Sequence, residues 1–150
     1  MNPNKLLIVL GNQLFPLKYV QETGCNMIFM KEDLGLCTDY KHHKLKILFY
    51  LVAMREYRDR LLSAGYCVIY HEIEDQAFKE PYLETLMKAV NENELKAIHY
   101  FEIEDNSFKT KFLKLENEPS LALIEQTSPM FFADDISFQH CSKGKSLRMA

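Results

Sequence analysis

The chain has 150 residues, with 18 basic and 21 acidic side chains and a formal net charge of -3. Hydrophobic residues make up 47% of it and charged residues 26%, which is typical of one globular domain and excludes a disordered or fibrous chain. The slightly acidic balance argues against binding nucleic acid by bulk electrostatic attraction alone. The longest apolar run, residues 47–54, is far shorter than the ~20 residues of a membrane-spanning helix, so no transmembrane segment is predicted.

The predicted elements alternate between strands and helices along the chain. Short apolar runs predict five strands, at residues 6–10, 27–30, 67–70, 97–101 and 121–124. The longest predicted helix covers about residues 41–64, and Gly65 follows where a left-handed turn would end it. Further helices are predicted after Pro81 and over residues 105–115. This alternation predicts an α/β fold with an open, five-stranded, mainly parallel sheet and helices on both faces.

Two polar segments follow the first two predicted strands, and both are predicted to be loops. They are GNQLFP at residues 11–16 and KEDLGLCTD at residues 31–39. Open parallel sheets bind ligands beyond the carboxyl ends of their strands, at the point where the strand order reverses. The sequence therefore predicts a ligand site at this edge of the sheet.

Two adjacent histidines and three lysines precede or begin the longest helix, at Lys41, His42, His43, Lys44 and Lys46. Positive charge at a helix start opposes the helix dipole, at a cost of ~0.3–1 kcal/mol per charge. Thr38 or Asp39 is the predicted cap, and the following ILFYLVAM, residues 47–54, is predicted to be core. The basic side chains could surround an anionic or carbonyl-rich ligand or form a solvated helix end, and the residues alone favour neither.

Several familiar binding motifs lack a residue or a spacing that they require. The tripeptide GKS lacks the earlier glycine of a phosphate-binding loop, because Gln139 stands at that position. A dinucleotide fingerprint needs clustered glycines after the first strand, where only Gly11 occurs. Zinc bound by Cys37, His42 and His43 is chemically possible, but a fourth ligand is missing and adjacent helical side chains point ~100° apart. No metal site is predicted.

The four cysteines, Cys25, Cys37, Cys67 and Cys141, are far apart in the sequence and form no CxxC pair. No secretory signal precedes them. A reduced, cytoplasmic setting is therefore predicted, with Cys25 and Cys67 as small buried residues.

Several short motifs occur together in this chain: GNQLFP, MKEDLGLCT, HHKLKI, AMREYRDRL, FEIED, and SPMFF followed by KGKSLRM. In this combination the chain resembles, over nearly its whole length, the photolyase-related branch of the photolyase and cryptochrome superfamily, whose members are also called iron–sulfur bacterial cryptochromes and photolyases. The resemblance implies a Rossmann-like α/β domain at residues 1–127 that can hold an antenna chromophore, typically a ribityllumazine. Residues 128–150 would begin the linker toward a helical C-terminal domain.

The resemblance also implies what the full-length protein does. Relatives repair pyrimidine–pyrimidone (6-4) lesions by light-driven electron transfer from reduced flavin, so the full-length protein is expected to be a DNA photolyase, a carbon–carbon lyase whose partner is damaged DNA. FAD and the iron–sulfur cluster would lie beyond Ala150, and the present chain alone would not be an enzyme. The alternatives are a cryptochrome-like photoreceptor or a structural α/β module with an empty cleft. Generic nucleotide binding follows only from the fold.

Eight residues are carried over from the resemblance as chromophore-binding candidates: Gly11, Asn12, Gln13, Glu32, Thr38, His42, His43 and Lys46. Asn12 stands where many relatives have aspartate, which replaces an acceptor-only group by an amide that also donates. Leu36 lies in the region where antenna-binding relatives commonly carry a second glutamate. A loop-closing hydrogen bond for Gln13 and a salt bridge to the lysine cluster for Glu32 are equally expected roles. No catalytic residue is assigned, and the oligomeric state is left open.

Overall fold

The computed structural model describes residues 4–38 and 41–130. Its five strands are β1 (Lys5–Ile8), β2 (Met27–Lys31), β3 (Cys67–His71), β4 (Ala97–Phe101) and β5 (Ala122–Gln126). They form one sheet in the order β3-β2-β1-β4-β5, and every neighbouring pair is parallel. The predicted α/β, Rossmann-like fold is confirmed. The predicted linker falls almost entirely on residues 131–150, outside the described residues.

The order of the strands reverses at β1. The chain passes from β1 to β2 and β3 on one side and then returns to place β4 and β5 on the other. The carboxyl ends of β1 and β4 therefore form the switch point at which such sheets bind ligands.

Five helices connect these strands: α1 (Leu17–Glu22), α2 (Leu34–Thr38), α3 (Lys44–Ser63), α4 (Tyr82–Glu92) and α5 (Asn106–Phe112). Short 3-10 turns at Gln76–Lys79 and Leu113–Asn117 complete the described elements. Helices α1 and α3 cover one face of the sheet, whereas α4 and α5 cover the other, as the two buried clusters show.

Successive side chains of a strand point to opposite faces of the sheet, so each strand contributes residues to both buried clusters. Phe29 packs with Leu86 of α4 and Phe112 of α5, whereas its neighbour Ile28 packs with Leu61 of α3 on the opposite face. Strands buried on both faces need the continuous apolar runs that the sequence shows. Cys25, just before β2, is buried as predicted, whereas Cys67, the first residue of edge strand β3, is exposed. The predicted burial of Cys67 is therefore wrong.

The predicted burial of residues 47–54 is wrong for much of α3. Leu48, Phe49 and Val52 are exposed by 56, 72 and 55%, whereas Met54 is buried. An α-helix of 3.6 residues per turn places residues 48, 49 and 52 on the side opposite Met54 and Leu61. Only the second side touches the sheet, so an apolar run longer than one helix face cannot all be core.

The start of α3 also differs from the prediction. The helix begins at Lys44 and its cap is His43, whose Nδ1 accepts a hydrogen bond from the Leu45 N–H at 3.2 Å. The cap predicted at Thr38 or Asp39 is therefore wrong. An imidazole nitrogen can replace the usual hydroxyl or carboxylate acceptor because capping requires only a suitably placed lone pair.

The segment before α3, predicted to be entirely loop, contains helix α2. The carboxylate Oδ2 of Asp33 accepts a hydrogen bond from the Gly35 N–H at 3.0 Å, in the manner of an N-terminal cap. Helix α2 is short and contains a glycine, so the sequence pattern did not predict it. No helix in the described ranges is long and apolar enough to cross a membrane.

His99 is buried on β4, and we expect the protein to lose stability as the pH falls because of this residue. The residue is 5% exposed, and its Nε2 has no hydrogen-bond partner among the described residues. Burial, together with the positive charge of Lys5, lowers the pKa of His99 from its ordinary value of 6.5. The unfolded chain then binds the proton more readily, so this stability is present above pH 6.5 and is lost as the pH falls below it.

Urea unfolding at a series of pH values tests this. We expect His99→Gln to flatten part of the decline below neutral pH, while His71, whose pKa burial also lowers, keeps a remainder. An unchanged pH dependence in His99→Gln would contradict the assignment.

Candidate ligand-binding site

A cavity of about 380 Å³ lies at the switch point of the sheet. The loop after β1 contributes Leu10, Gly11 and Asn12, and the loop after β4 contributes Ile103, Glu104 and Asp105. The wall from α3 and the segment before it consists of His42, Lys46, Ile47, Tyr50, Leu51 and Met54, and Asp33, Gly35, Tyr82 and Phe108 complete the lining. This volume is within the range of small-molecule sites.

Most of the wall is apolar or aromatic. The rings of Tyr82 and Phe108 meet edge to face with centroids 5.2 Å apart, which fixes both ring planes. Ile47 and Leu51 on α3 and Ile103 after β4 add aliphatic surface to the same cavity. Such a surface suits a planar aromatic ligand, because flat ring systems gain dispersion and hydrophobic contact over their whole face.

Gly11 allows the β1 loop to approach α3. A Cβ atom at this position would lie 2.9 Å from the sulfur of Met54, which is itself buried. Any larger residue would have to displace the Met54 side chain, and Met54 also lines the cavity. The cavity's shape thus depends on glycine at this position.

The two aspartates of the cavity are engaged in structural hydrogen bonds. Asp33 accepts from the ammonium of buried Lys31 at 3.0 Å and from the Gly35 N–H at 3.0 Å. Asp105 caps α5 by accepting two backbone N–H bonds at 2.8 and 3.0 Å. These carboxylates are satisfied before any ligand arrives.

Other polar groups remain available to a ligand. Lys46 forms no ion pair within 4.0 Å in the part of the chain that the structure describes, and the Tyr82 hydroxyl is buried there without a hydrogen-bond partner. Burial raises the pKa of Tyr82 well above its ordinary value of 10.0, so it stays a neutral hydroxyl. Asn12 offers an exposed amide, and within the described residues the Glu104 carboxylate accepts one long hydrogen bond, from the Ser128 hydroxyl at 3.5 Å.

Four of the eight predicted site residues line this cavity, namely Gly11, Asn12, His42 and Lys46. The other four lie outside its lining and have local roles. Thr38 donates to the Leu34 carbonyl at 2.9 Å, and His43 caps α3. Gln13 is buried and donates through Nε2 to the Glu102 carbonyl at 2.8 Å, which joins the loops after β1 and β4, as the loop-closing alternative predicts.

Glu32 is completely buried and forms a network of its own. Its carboxylate accepts from Arg55 Nε at 2.7 Å and Nη2 at 2.9 Å, from the Tyr70 hydroxyl at 2.8 Å and from the Ile73 N–H at 2.9 Å. Burial by itself raises the pKa of Glu32, but the hydrogen bonds from Arg55, Tyr70 and Ile73 and the charge of Arg55 outweigh it and lower the pKa. The salt-bridge partner is Arg55 and not the predicted lysine cluster. Ligand contact by Glu32, Gln13, Thr38 and His43 stays a prediction.

Sequence reasoning missed several lining residues. Glu104 and Asp105 belong to FEIED, and the rule that ligands lie beyond the carboxyl ends of strands could have found them, because FEIED contains the end of β4. Tyr82 has no comparable signal, since it begins helix α4 and reaches the cavity only through tertiary packing.

The described residues contain no group of three or more His, Cys, Asp and Glu side chains that could hold a metal ion. Of the zinc candidates considered above, the side chain of Cys37 is outside the description. The lining of the described cavity is of a kind that suits an organic ligand.

The parallel sheet and its switch-point cavity define a Rossmann-like α/β domain with a cleft of small-molecule size. The family described as "Deoxyribodipyrimidine photo-lyase-related protein" matches residues 7–150, and the chain belongs to this family. The resemblance given by the sequence motifs is thereby confirmed. No curated protein matches the chain.

Proposed function

We propose that this chain binds an antenna-type chromophore of the ribityllumazine class in the cavity between β1, β4 and α3. The carrying observation is a cavity of about 380 Å³ that combines aromatic and aliphatic walls with polar groups that have no ion-pair or hydrogen-bond partner among the described residues. A fused heterocycle with carbonyl groups and a polar side chain has the same combination of properties. The membership of the photolyase-related family supports this choice of ligand.

Individual residues have distinct roles in this proposal. The Lys46 ammonium can donate to a carbonyl or anionic oxygen, and the Asn12 amide can both donate and accept. The buried Tyr82 hydroxyl gains most, because an unpaired buried polar group is costly until a ligand supplies a partner. Phe108 and Ile103 provide apolar contacts for the ring system.

For the whole protein we propose light-driven repair of damaged DNA, with (6-4) lesions as the first substrate to test. The support is the description of the family, which names deoxyribodipyrimidine photo-lyase. The bound antenna would collect light, whereas FAD and an iron–sulfur cluster are assigned to none of the described residues. A cytoplasmic location is part of the same proposal, supported by Cys25 and Cys67 being free.

Titration of the protein with 6,7-dimethyl-8-ribityllumazine, followed by ligand fluorescence, tests the chromophore proposal. We expect saturable binding that Lys46→Gln weakens by about tenfold, since a hydrogen bond to a charged group contributes ~1.5–3 kcal/mol before water partly replaces it. The matched control is Lys44→Gln, which removes the same charge from the same exposed helix turn outside the cavity lining.

A second variant addresses shape. Ile103→Trp would fill the cavity and should abolish binding while leaving the circular dichroism spectrum unchanged. No fluorescence change at saturating ligand, or equal weakening by the Lys46 and Lys44 variants, would overturn the proposed ligand contact.

The second candidate is a photoreceptor-like or structural α/β module whose cleft stays empty. The observation favouring it is Glu32, the acidic residue expected at the cleft, because Arg55, Tyr70 and Ile73 already occupy its carboxylate. Repair of (6-4) lesions by the full-length protein under blue light would exclude this alternative. This alternative would be established if the folded chain does not bind the lumazine and the full-length protein shows no repair activity.

A further inference from the structure

The lining of the switch-point cavity divides into a buried part and an exposed part. Met54 and Ile103 are buried and define its inner end. Tyr82, also in the lining, packs edge to face on fully buried Phe29 with ring centroids 5.6 Å apart. The buried hydroxyl of Tyr82 has no hydrogen-bond partner among the described residues. The inner end is therefore an apolar space in which one polar group still lacks a partner, as is usual for a ligand site.

The exposed part of the lining, which we call the mouth, consists of Asn12, Lys46, Glu104 and Asp105. All four of these side chains are polar or charged. A ligand with an apolar ring system and a polar chain gains most by placing the ring at the inner end and the chain at the mouth, because buried polar groups without partners are costly. The residues of the mouth therefore determine which chain the cavity accepts.

Negative charge exceeds positive charge at the mouth. Lys46 is its one cationic residue, whereas Glu104 and Asp105 are both carboxylates. Neither carboxylate forms an ion pair within 4.0 Å in the described ranges. A second anionic group that enters the mouth therefore meets two like charges and one opposite charge.

Two further titratable residues line the cavity and do not change this balance. Asp33 pairs with the buried ammonium of Lys31 at 3.0 Å, so its charge is compensated within the protein. His42 belongs to the segment before α3 and is formally neutral at pH 7. The uncompensated negative charge of the lining thus belongs to Glu104 and Asp105.

Glu104 has hydrogen-bonding capacity left for a ligand. Within the described residues its carboxylate accepts one long hydrogen bond, from the Ser128 hydroxyl at 3.5 Å. Asp105, in contrast, accepts two backbone N–H bonds as the cap of α5. A carboxylate can only accept, so Glu104 requires a donor on the ligand. A hydroxyl group donates and accepts, whereas a phosphate ester carries about 1.5–2 negative charges at pH 7 and offers mainly acceptors.

We propose that the mouth selects chromophores with an uncharged, hydroxyl-bearing chain and excludes phosphorylated ones, such as flavin mononucleotide. This inference rests on the proposed chromophore binding and narrows its ligand class. Glu104 determines the specificity, because its carboxylate accepts from a chain hydroxyl but repels a phosphate at the same place. Asp105 adds a second negative charge, and the single charge of Lys46 cannot balance both carboxylates and a phosphate.

Two ligands that differ only by the phosphate test the proposal, namely 6,7-dimethyl-8-ribityllumazine and its 5′-phosphate. Each is titrated against the 150-residue chain and followed by ligand fluorescence. We expect the lumazine to bind at least about tenfold more tightly than its phosphate, because both carboxylates of the mouth repel a group with nearly two charges.

Glu104→Gln should change the two affinities in opposite directions. The amide keeps the size of the side chain and removes its charge, so the phosphate should bind about tenfold more tightly than to the wild type. The lumazine should bind more weakly, because its chain hydroxyl then donates to a neutral amide oxygen and not to a carboxylate. A loss of folding weakens both ligands and cannot produce opposite changes.

The matched control is Glu118→Gln. Glu118 is exposed and lies outside the cavity lining, so this variant makes the same change in net charge away from the mouth. Both ligands should bind the control as they bind the wild type, because salt screens charges that are not close to the ligand.

The possible results separate this proposal from the proposed chromophore binding. The selectivity proposal alone fails if the wild type binds the phosphate as tightly as the lumazine, or if Glu104→Gln leaves the ratio of the two affinities unchanged. Equal effects of Glu104→Gln and Glu118→Gln would assign the discrimination to the overall charge of -3 and would also overturn it. If the wild type binds neither ligand, the proposed chromophore binding fails together with this inference.

Discussion

Replacing Arg55 with methionine is expected to lower the free energy of unfolding by about 3–5 kcal/mol, the usual result of leaving one member of a buried ion pair without its partner. The side chain of Glu32 is 0% exposed, whereas that of Arg55 is 33% exposed. Methionine preserves much of the aliphatic length of arginine, so the main loss is the two charged hydrogen bonds to the Glu32 carboxylate. Urea unfolding at neutral pH measures the change.

The matched control is Arg58→Met on the same helix. Arg58 pairs with Asp59 and Glu72, whose side chains are 63 and 35% exposed, so water can replace the lost contacts. We expect a loss below about 1 kcal/mol, as for other surface ion pairs. Equal losses for Arg55→Met and Arg58→Met would contradict the special role of the buried carboxylate.

A double variant separates charge from packing. Glu32→Gln keeps an oxygen that can accept from Tyr70 or Ile73 but removes the buried charge. We expect Glu32→Gln combined with Arg55→Met to recover much of the stability lost in Arg55→Met alone. A further loss in the double variant would show that Arg55 acts mainly through its packing.

The same carboxylate gives a dependence on acid pH. The Arg55, Tyr70 and Ile73 contacts hold the pKa of Glu32 below its ordinary value of 4.5, despite the opposing effect of burial. The unfolded chain therefore takes up the proton first, so the contribution of Glu32 is present above pH 4.5 and is lost as the pH falls below it. Its loss falls in a lower pH range than that of His99.

The sheet was predictable because its strands are buried on both faces and leave uninterrupted apolar runs between polar loops. An uninterrupted apolar run in α3 leads to a wrong prediction of burial. Residues 47–54 are apolar at every position, so the pattern predicts burial but cannot select the side that meets the sheet. That choice depends on how the helix is placed over β1 and β2, which is a tertiary property.

The candidate site divides in a similar way. Gly11, Asn12, His42 and Lys46, which were carried over from the motif resemblance, line the cavity. The residue pattern alone predicts a ligand site beyond the first strand and leaves the role of the basic cluster before and within the first turn of α3 open. Glu32 directly follows the next strand, β2, and its partner Arg55 is 23 residues further along. Local pattern gives no means of pairing them, and it gives none of placing Tyr82 at the cavity.

The other large effect is expected at the C-terminal half of α3, where Leu61→Ala should lower the free energy of unfolding by about 2–5 kcal/mol. Leu61 is 0% exposed and belongs to the cluster between α3 and the sheet, so its truncation removes apolar contacts and leaves a cavity. Its neighbour Leu62 is 49% exposed, and we expect Leu62→Ala to change stability by less than about 1 kcal/mol, as for most surface substitutions.

These adjacent leucines have the same chemistry and the same helix propensity, so urea unfolding of the two alanine variants measures their burial alone. A large difference requires that residues 54, 57 and 61 form the side of α3 that packs on the sheet. Because residues 48, 49 and 52 lie on the other side of the same helix, that result would also establish that the apolar surface of Leu48, Phe49 and Val52 faces away from the core. Equal losses at Leu61 and Leu62 would require a different rotation of α3 about its axis, and with it a different set of residues lining the cavity.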